Sequence, residues 1–165
     1  MEGYKLIPLN QLKYKYPEIY KIARKKYKGR EFVMEQKVPI LDCLWNDVVH
    51  FSAVHPQKIS DALKELGQEL KIKRFYKINP NKLDPKKTVV YLYKHKLKKD
   101  KMLPSNWENY DVRNIEKYTE LPNSTIKYYR DEIGKGNKPP LWAWVPHIMH
   151  QGEIDVSDCE IIEIE

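Results

Sequence analysis

The chain has 165 residues, 41% hydrophobic and 32% charged, with a formal net charge of +7 and a pI of about 9.2. That length suits a single domain whose core needs no metal or disulfide staple, and four tryptophans with twelve tyrosines exclude a disordered polymer. No run approaches the about 20 apolar residues of a membrane span, and neither a signal-like stretch nor a myristoylation glycine stands at the start, so the sequence predicts a cytoplasmic protein with no membrane partner.

Taken in order, residues 4–7 are short and apolar and precede Pro8, which suits an edge strand or an N-terminal arm. Pro17 opens a helix in which Ile19, Tyr20, Ile22, Ala23 and Tyr27 fall at helical spacing, and Gly29 ends it. Its other side carries Lys21, Arg24, Lys25 and Lys28, which read as a solvated face or, less commonly, a nucleic-acid contact. Residues 30–38 stay open between a short helix and a strand. In 47–53, Val48, Val49 and Phe51 are interrupted by His50, which predicts a strand carrying one imidazole. Pro56 then starts a helix with Ile59, Ala62, Leu63 and Leu66 on one stripe, closed at Gly67.

Residues 70–78 alternate apolar with basic side chains, and residues 88–94 combine β-branched and aromatic residues, so both predict strands. Asn79-Pro80 and Asp84-Pro85 mark turns. Residues 95–104 read as a basic loop, 107–118 as a helix, and Asn123 as the N-cap of a further helix ending at Gly134 and Gly136. Pro146 breaks the alternation of 141–149 and argues for an edge strand or a bulge. A turn at Gln151-Gly152 and a last strand over 160–164 predict a final hairpin. The class is α+β: a mixed, mainly antiparallel sheet with three or four helices in one domain over 1–165, with 95–140 as a loop and helical insertion.

Charge is unevenly spread. Lysine and arginine crowd 13–30 and 71–101, whereas the last thirteen residues hold six acids and no base. A cationic face concentrates phosphate-bearing or acidic partners, although lysine-rich usage can equally be compositional drift. Cys43 and Cys159 read as packed thiols. Neither has a partner at Cys-x-x-Cys spacing, and His147 and His150 point to opposite faces of a strand, so no metal site is predicted.

His50 and Ser52 are the first site candidates. Strand periodicity puts both on one face, about 7 Å apart, too far for direct activation of the serine, and no Gly-x-Ser-x-Gly elbow is present. The plainer reading is a core histidine and a capping serine. Arg74 beside Phe75-Tyr76, and Tyr91 and Tyr93 beside Lys94, form basic strands with aromatics that could stack unpaired bases, or pack as ordinary cross-strand pairs.

His50-x-Ser52 before Ile59-x-x-Ala62-Leu63-x-x-x-Gly67 resembles the opening of the ADP-ribosyltransferase superfamily, which commonly starts with His-Gly-Thr or His-Gly-Ser. The resemblance implies NAD as cofactor, His50 on the nicotinamide ribose, Tyr91 or Tyr93 stacked on the nicotinamide, and a late acid serving the transfer. Residues 145–147, 152–154 and 161–164 resemble the way such folds close. Phe51 replaces the glycine, however, and no glutamate stands on 141–149, which leaves Glu153 as the substitute acid. The chain also resembles short proteins of low-GC bacteria.

The expectation is therefore a small basic protein that binds a phosphate-rich ligand, whether nucleotide, NAD or nucleic acid, near the end of the His50 strand. His50, Ser52 and Glu153 are the catalytic candidates, and Arg74, Tyr91, Tyr93 and His147 the ligand-binding ones. As an enzyme it would be a nucleotide- or NAD-using transferase. The alternative is a regulatory or antagonist protein without catalysis, acting through contacts with a protein partner such as an acidic one.

Overall fold

The computed structural model describes residues 4–94 and 103–165. In chain order the elements are β1 (Lys5–Leu6), α1 (Leu9–Lys15), α2 (Pro17–Arg24), β2 (Lys37–Val38), β3 (Cys43–Leu44), β4 (Val48–Phe51), α3 (Pro56–Lys64), β5 (Arg74–Lys77), β6 (Thr88–Tyr91), β7 (Trp107–Asn109), α4 (Asn123–Gly134), β8 (His147–Gln151), β9 (Ile154–Asp155) and β10 (Glu160–Glu163). The fold is α+β and the strand pairs are antiparallel. Among the described residues, no helix is long and apolar enough to cross a membrane.

The central sheet runs β4-β8-β6-β7. Cross-strand partners share a face, so the register His50↔Met149↔Val89 puts Val48, His50, His147, Met149, Val89, Tyr91 and Trp107 on one side. That side packs with Leu9 and Leu12 of α1 and with Tyr27, Val33, Val38 and Trp45. The other side, with Val90 and Ile148, covers Leu83, Tyr110, Tyr118, Ile154 and Val156. A third cluster joins α3 to α4 through Ile59, Leu63 and Tyr129, with Val54 and Val145 between them. His150 faces the second side, buried, its Nδ1 2.8 Å from Thr88 Oγ1, whose hydroxyl donates to the Asp84 carbonyl.

α3 forms where its stripe predicts, with Pro56 in its first turn and Gly67 just beyond it in the left-handed region at φ 71°. Its N-cap is His55, whose Nδ1 accepts from the Gln57 amide at 3.2 Å, so the capping role expected of Ser52 falls to an imidazole. Other expectations give way to long-range pairing. Residues 107–118 are not one helix: Trp107 and Asn109 pair with Tyr91 and Val89, and only Val112–Tyr118 coils, as a 3-10 helix capped by Asp111. Pro146 marks no edge strand. β8 begins immediately after it, so its missing N–H interrupts no ladder, and β8 lies between β4 and β6. The final hairpin is absent too: β9 pairs with β1, and β10 pairs with β5. Asn123 is the first helical residue of α4 rather than its cap, which is Pro122. Of the basic loop expected over 95–104, residues 95–102 lie outside the described residues.

Candidate functional site

Around His50 the chain assembles aromatics from five segments. The 3-10 turn Trp45–Asp47 is held by Asp47, which accepts from the Leu44 amide at 2.8 Å and from Asn10 Nδ2 at 2.7 Å. That turn brings the Trp45 ring to 5.1 Å from His50 and presents the Trp45 carbonyl to His50 Nε2 at 3.2 Å. A carbonyl only accepts, so Nε2 carries the proton and Nδ1 is left with its lone pair. His147 mirrors this: its Nδ1 lies 2.7 Å from the Val145 carbonyl and donates to it, which leaves Nε2 unprotonated. The two imidazole centroids are 5.8 Å apart and nearly perpendicular. Among the described residues, neither spare nitrogen has a partner.

Tyr93 stacks on His147 at 5.9 Å with a 19° interplanar angle, and Trp144 meets Tyr93 edge-on at 5.1 Å. Tyr128 of α4 lies 6.4 Å beyond Trp144. Both Tyr93 and Trp144 have positive φ, 53° and 62°. A bulky L-residue in that region costs about 1–2 kcal/mol, and such outliers persist where the surroundings over-determine them, often at ligand clamps. Tyr91, fully buried, forms the floor with Trp107 at 4.8 Å.

His50 is exposed to solvent, yet burial pushes its pKa down to about 3, and the neighbouring His147 and Lys26 oppose its protonation further. Water reaches one side of the ring, while Trp45 and His147 stand against it at 5.1 and 5.8 Å between centroids. The exposure describes what a ligand can touch, and the lowered pKa describes the local dielectric. Half-buried His147 is lowered by burial as well. Both rings are therefore neutral near pH 7 and act there as hydrogen-bond acceptors. A base pushed this far below neutrality is a poor proton abstractor.

In the segment after α2, Lys26 and Arg30 lie against Tyr27, which packs in one cluster with Trp45, Tyr91, Trp107 and Tyr93. Lys26 is exposed by surface and yet lowered in pKa by burial and then by Arg30, the same combination seen at His50. Arg30 acts on Tyr93 and Tyr128. A separate groove of about 460 Å³ lies between α1, α2 and the 31–35 turn. It mixes Lys13 and Arg24 with Glu31, Glu35 and Asp47, so its charges offset one another, and it contains no imidazole.

The sequence-predicted residues divide accordingly. His50, His147, Tyr91 and Tyr93 meet on one face of the sheet. Ser52 lies past the end of β4 and its Oγ accepts from the Val54 amide at 3.1 Å, a local turn contact; no contact joins it to His50 among the described residues. Arg74 pairs with Glu163 at 3.0 Å in the separate β5-β10 ladder. Glu153 follows the opposite end of β8 from His147, ion-paired with Lys15 and, at 3.5 Å, with Lys5, and these lysines hold its carboxyl below the usual range. Six residues from His147 at strand rise amount to about 20 Å. Trp45, Trp144, Lys26 and Arg30 were not anticipated. The tryptophan pair in Leu141-Trp142-Ala143-Trp144, beside two prolines, was the one available signal.

Among the described residues no group of three or more His, Cys, Asp or Glu could hold a metal. Cys43 is buried and its thiol is pushed up to about 11, so it is not a nucleophile at neutral pH. No family model matches the chain, and no curated protein or solved structure matches it.

Proposed function

We propose that this protein binds a nucleotide in the His50–His147 recess, with the flat ring of the ligand against Tyr93 and Trp144 and its hydroxyl or amino hydrogens on the spare imidazole nitrogens. The observation that carries this is the pair of neutral imidazoles. Each is locked by a backbone carbonyl and each retains one acceptor nitrogen, among aromatics of which two are held in a strained conformation. Aromatic faces stack on any base at about 1–3 kcal/mol each, and paired acceptors favour a ligand rich in O–H and N–H donors. The net charge of +7 favours an anionic one.

NAD is the first compound to test, because the resemblance to ADP-ribosyltransferases implies it; His50, Tyr91 and Tyr93 each lie against His147. The proposed role is binding rather than transfer. His147 takes the site-facing position of β8 where the resemblance implies an acid, and a neutral imidazole supplies no negative charge to an oxocarbenium-like centre.

Trp45 and Trp144 in the recess make fluorescence a direct reporter. Titration with NAD and with mononucleotides is expected to quench the emission saturably, and His50→Ala and Tyr93→Ala are each expected to weaken binding at least about tenfold. No quenching by any nucleotide, or full affinity in a folded His50→Ala protein, would sink the proposal.

A further inference from the structure

Lys26 and Arg30 are brought together at one ring. Gly29, at φ 79°, turns the chain so that Arg30 folds back, and its Nε and Nη2 both donate to the Lys26 carbonyl at 3.2 Å. The Lys26 ammonium then lies 5.1 Å from the Tyr27 ring centroid and the Arg30 guanidinium carbon 5.6 Å from the same centroid. A tyrosine face attracts a cation, but it does not offset the repulsion between two. Among the described residues, no carboxylate forms an ion pair with either.

Some lysines have a carboxylate partner, as Lys15 has Glu153, Lys77 has Glu160 and Lys82 has Asp158, whereas others, Lys25 and Lys28 among them, form no ion pair among the described residues; what sets Lys26 and Arg30 apart is that both lie against one ring. Among the described residues, no carboxylate is ion-paired with either of the two. Tyr27 is fixed beneath them, buried, its hydroxyl donating to Asn46 Oδ1 at 2.6 Å, so the platform for the two cations is rigid. Tyr27 packs in one cluster with Trp45, Tyr91, Trp107 and Tyr93, and its partner Asn46 adjoins Trp45, so the two cations lie beside the aromatic group around His50; in keeping with this, Lys26 opposes protonation of His50 and Arg30 acts on Tyr93 and Tyr128.

We infer that Lys26 and Arg30 form the phosphate subsite of the recess, so that its ligand is a phosphorylated nucleoside and the free nucleoside is discriminated against. This rests on the nucleotide-binding reading above. A phosphoryl oxygen between the two side chains accepts charge-assisted hydrogen bonds from both and removes the repulsion between them. The guanidinium, oriented by the Lys26 carbonyl, supplies direction, and the ammonium supplies charge.

The test is calorimetry on the full chain with nicotinamide riboside and adenosine, with their 5′-monophosphates, and with inorganic pyrophosphate. The monophosphates are expected to bind at least about tenfold more tightly than the nucleosides. Lys26→Gln and Arg30→Gln, with folding checked by circular dichroism, are expected to abolish that difference while leaving nucleoside affinity unchanged. Arg30→Lys restores part of it by charge alone. Equal binding of nucleoside and monophosphate to the wild type overturns the subsite and leaves the recess reading standing, as does equal weakening of both ligands in the variants. If no nucleoside or nucleotide binds, the recess reading fails. The phosphorylated-nucleoside ligand fails with it, and pyrophosphate decides what is left: binding that is lost in a Lys26→Gln/Arg30→Gln double variant sustains only an anion site at the pair, and absence of binding to the wild type overturns that too.

Discussion

Replacing His50 by asparagine should flatten the acid limb of the stability profile. An unfolded histidine titrates at about 6.5, whereas burial, with His147 and Lys26, pushes the folded His50 to about 3. Between those values the unfolded chain takes up a proton that the folded protein refuses. The unfolded state then binds more protons, so stability is complete above about pH 6.5 and falls progressively as the pH drops toward 3. At pH 5 the gap is about 1.5 units, or about 2 kcal/mol without screening. Because the ring is open to solvent, screening discounts this to about 1 kcal/mol. For a domain of this size that corresponds to about 2–4 °C in Tm. Urea unfolding of wild type and His50→Asn at pH 8 and pH 5, followed by circular dichroism, isolates the effect, since every other titrating group is common to both. The wild type is expected to lose about 1 kcal/mol more than the variant between the two pH values. Equal losses would refute the reasoning that protein surrounds this ring.

Three further outcomes are expected. Tyr129→Phe removes the donor that satisfies the Leu141 carbonyl from a fully buried ring, at a cost of about 1–3 kcal/mol in denaturant unfolding. Glu153→Gln breaks the ion pairs with Lys5 and Lys15 and should cost at most about 1 kcal/mol, while nucleotide affinity measured by fluorescence stays unchanged; a loss of affinity would return Glu153 to the site. With an aromatic disulfide reagent at pH 8, half-buried Cys159 should react in the native protein and buried Cys43 only after unfolding, so rapid native reaction of both would contradict the packing around Cys43.

What could be read from the sequence was local. The Ile59-Ala62-Leu63 stripe between Pro56 and Gly67 fixes α3, and the β-branched run before Tyr91 fixes β6, because both signals depend on neighbours a few residues away. His50 stands out in the sequence because an imidazole interrupts an apolar strand. Its partner was harder to see. His147 lies 97 positions later and reaches His50 only because β8 pairs with β4 on one side and β6 on the other, a pairing that no local pattern encodes. Pro146 misled, since a proline just before a strand removes no ladder bond while one inside it would.

The cations escape local reading for a related reason. Arg74 looked free in a basic strand, but antiparallel pairing sets it against Glu163. Lys26 and Arg30 carry no local signal, since one sits in a lysine-rich run and the other beyond the glycine that ends the predicted helix; the helix stops at Arg24, and Gly29 folds Arg30 back over Tyr27. One left-handed glycine thus sets the direction of the Arg30 side chain. The positive φ of Tyr93 and Trp144 has no sequence signature at all, because neither residue type favours that region.

Nitrogen-15 spectra of the histidine rings, recorded with and without a saturating mononucleotide, address the recess most directly. At pH 7 the free protein is expected to show His50 neutral with its proton on Nε2 and His147 neutral with its proton on Nδ1, and the nucleotide to shift the resonance of the other nitrogen in both rings. A His50 ring that titrates near its ordinary value, or two rings whose nitrogens do not respond to any nucleotide, would contradict this.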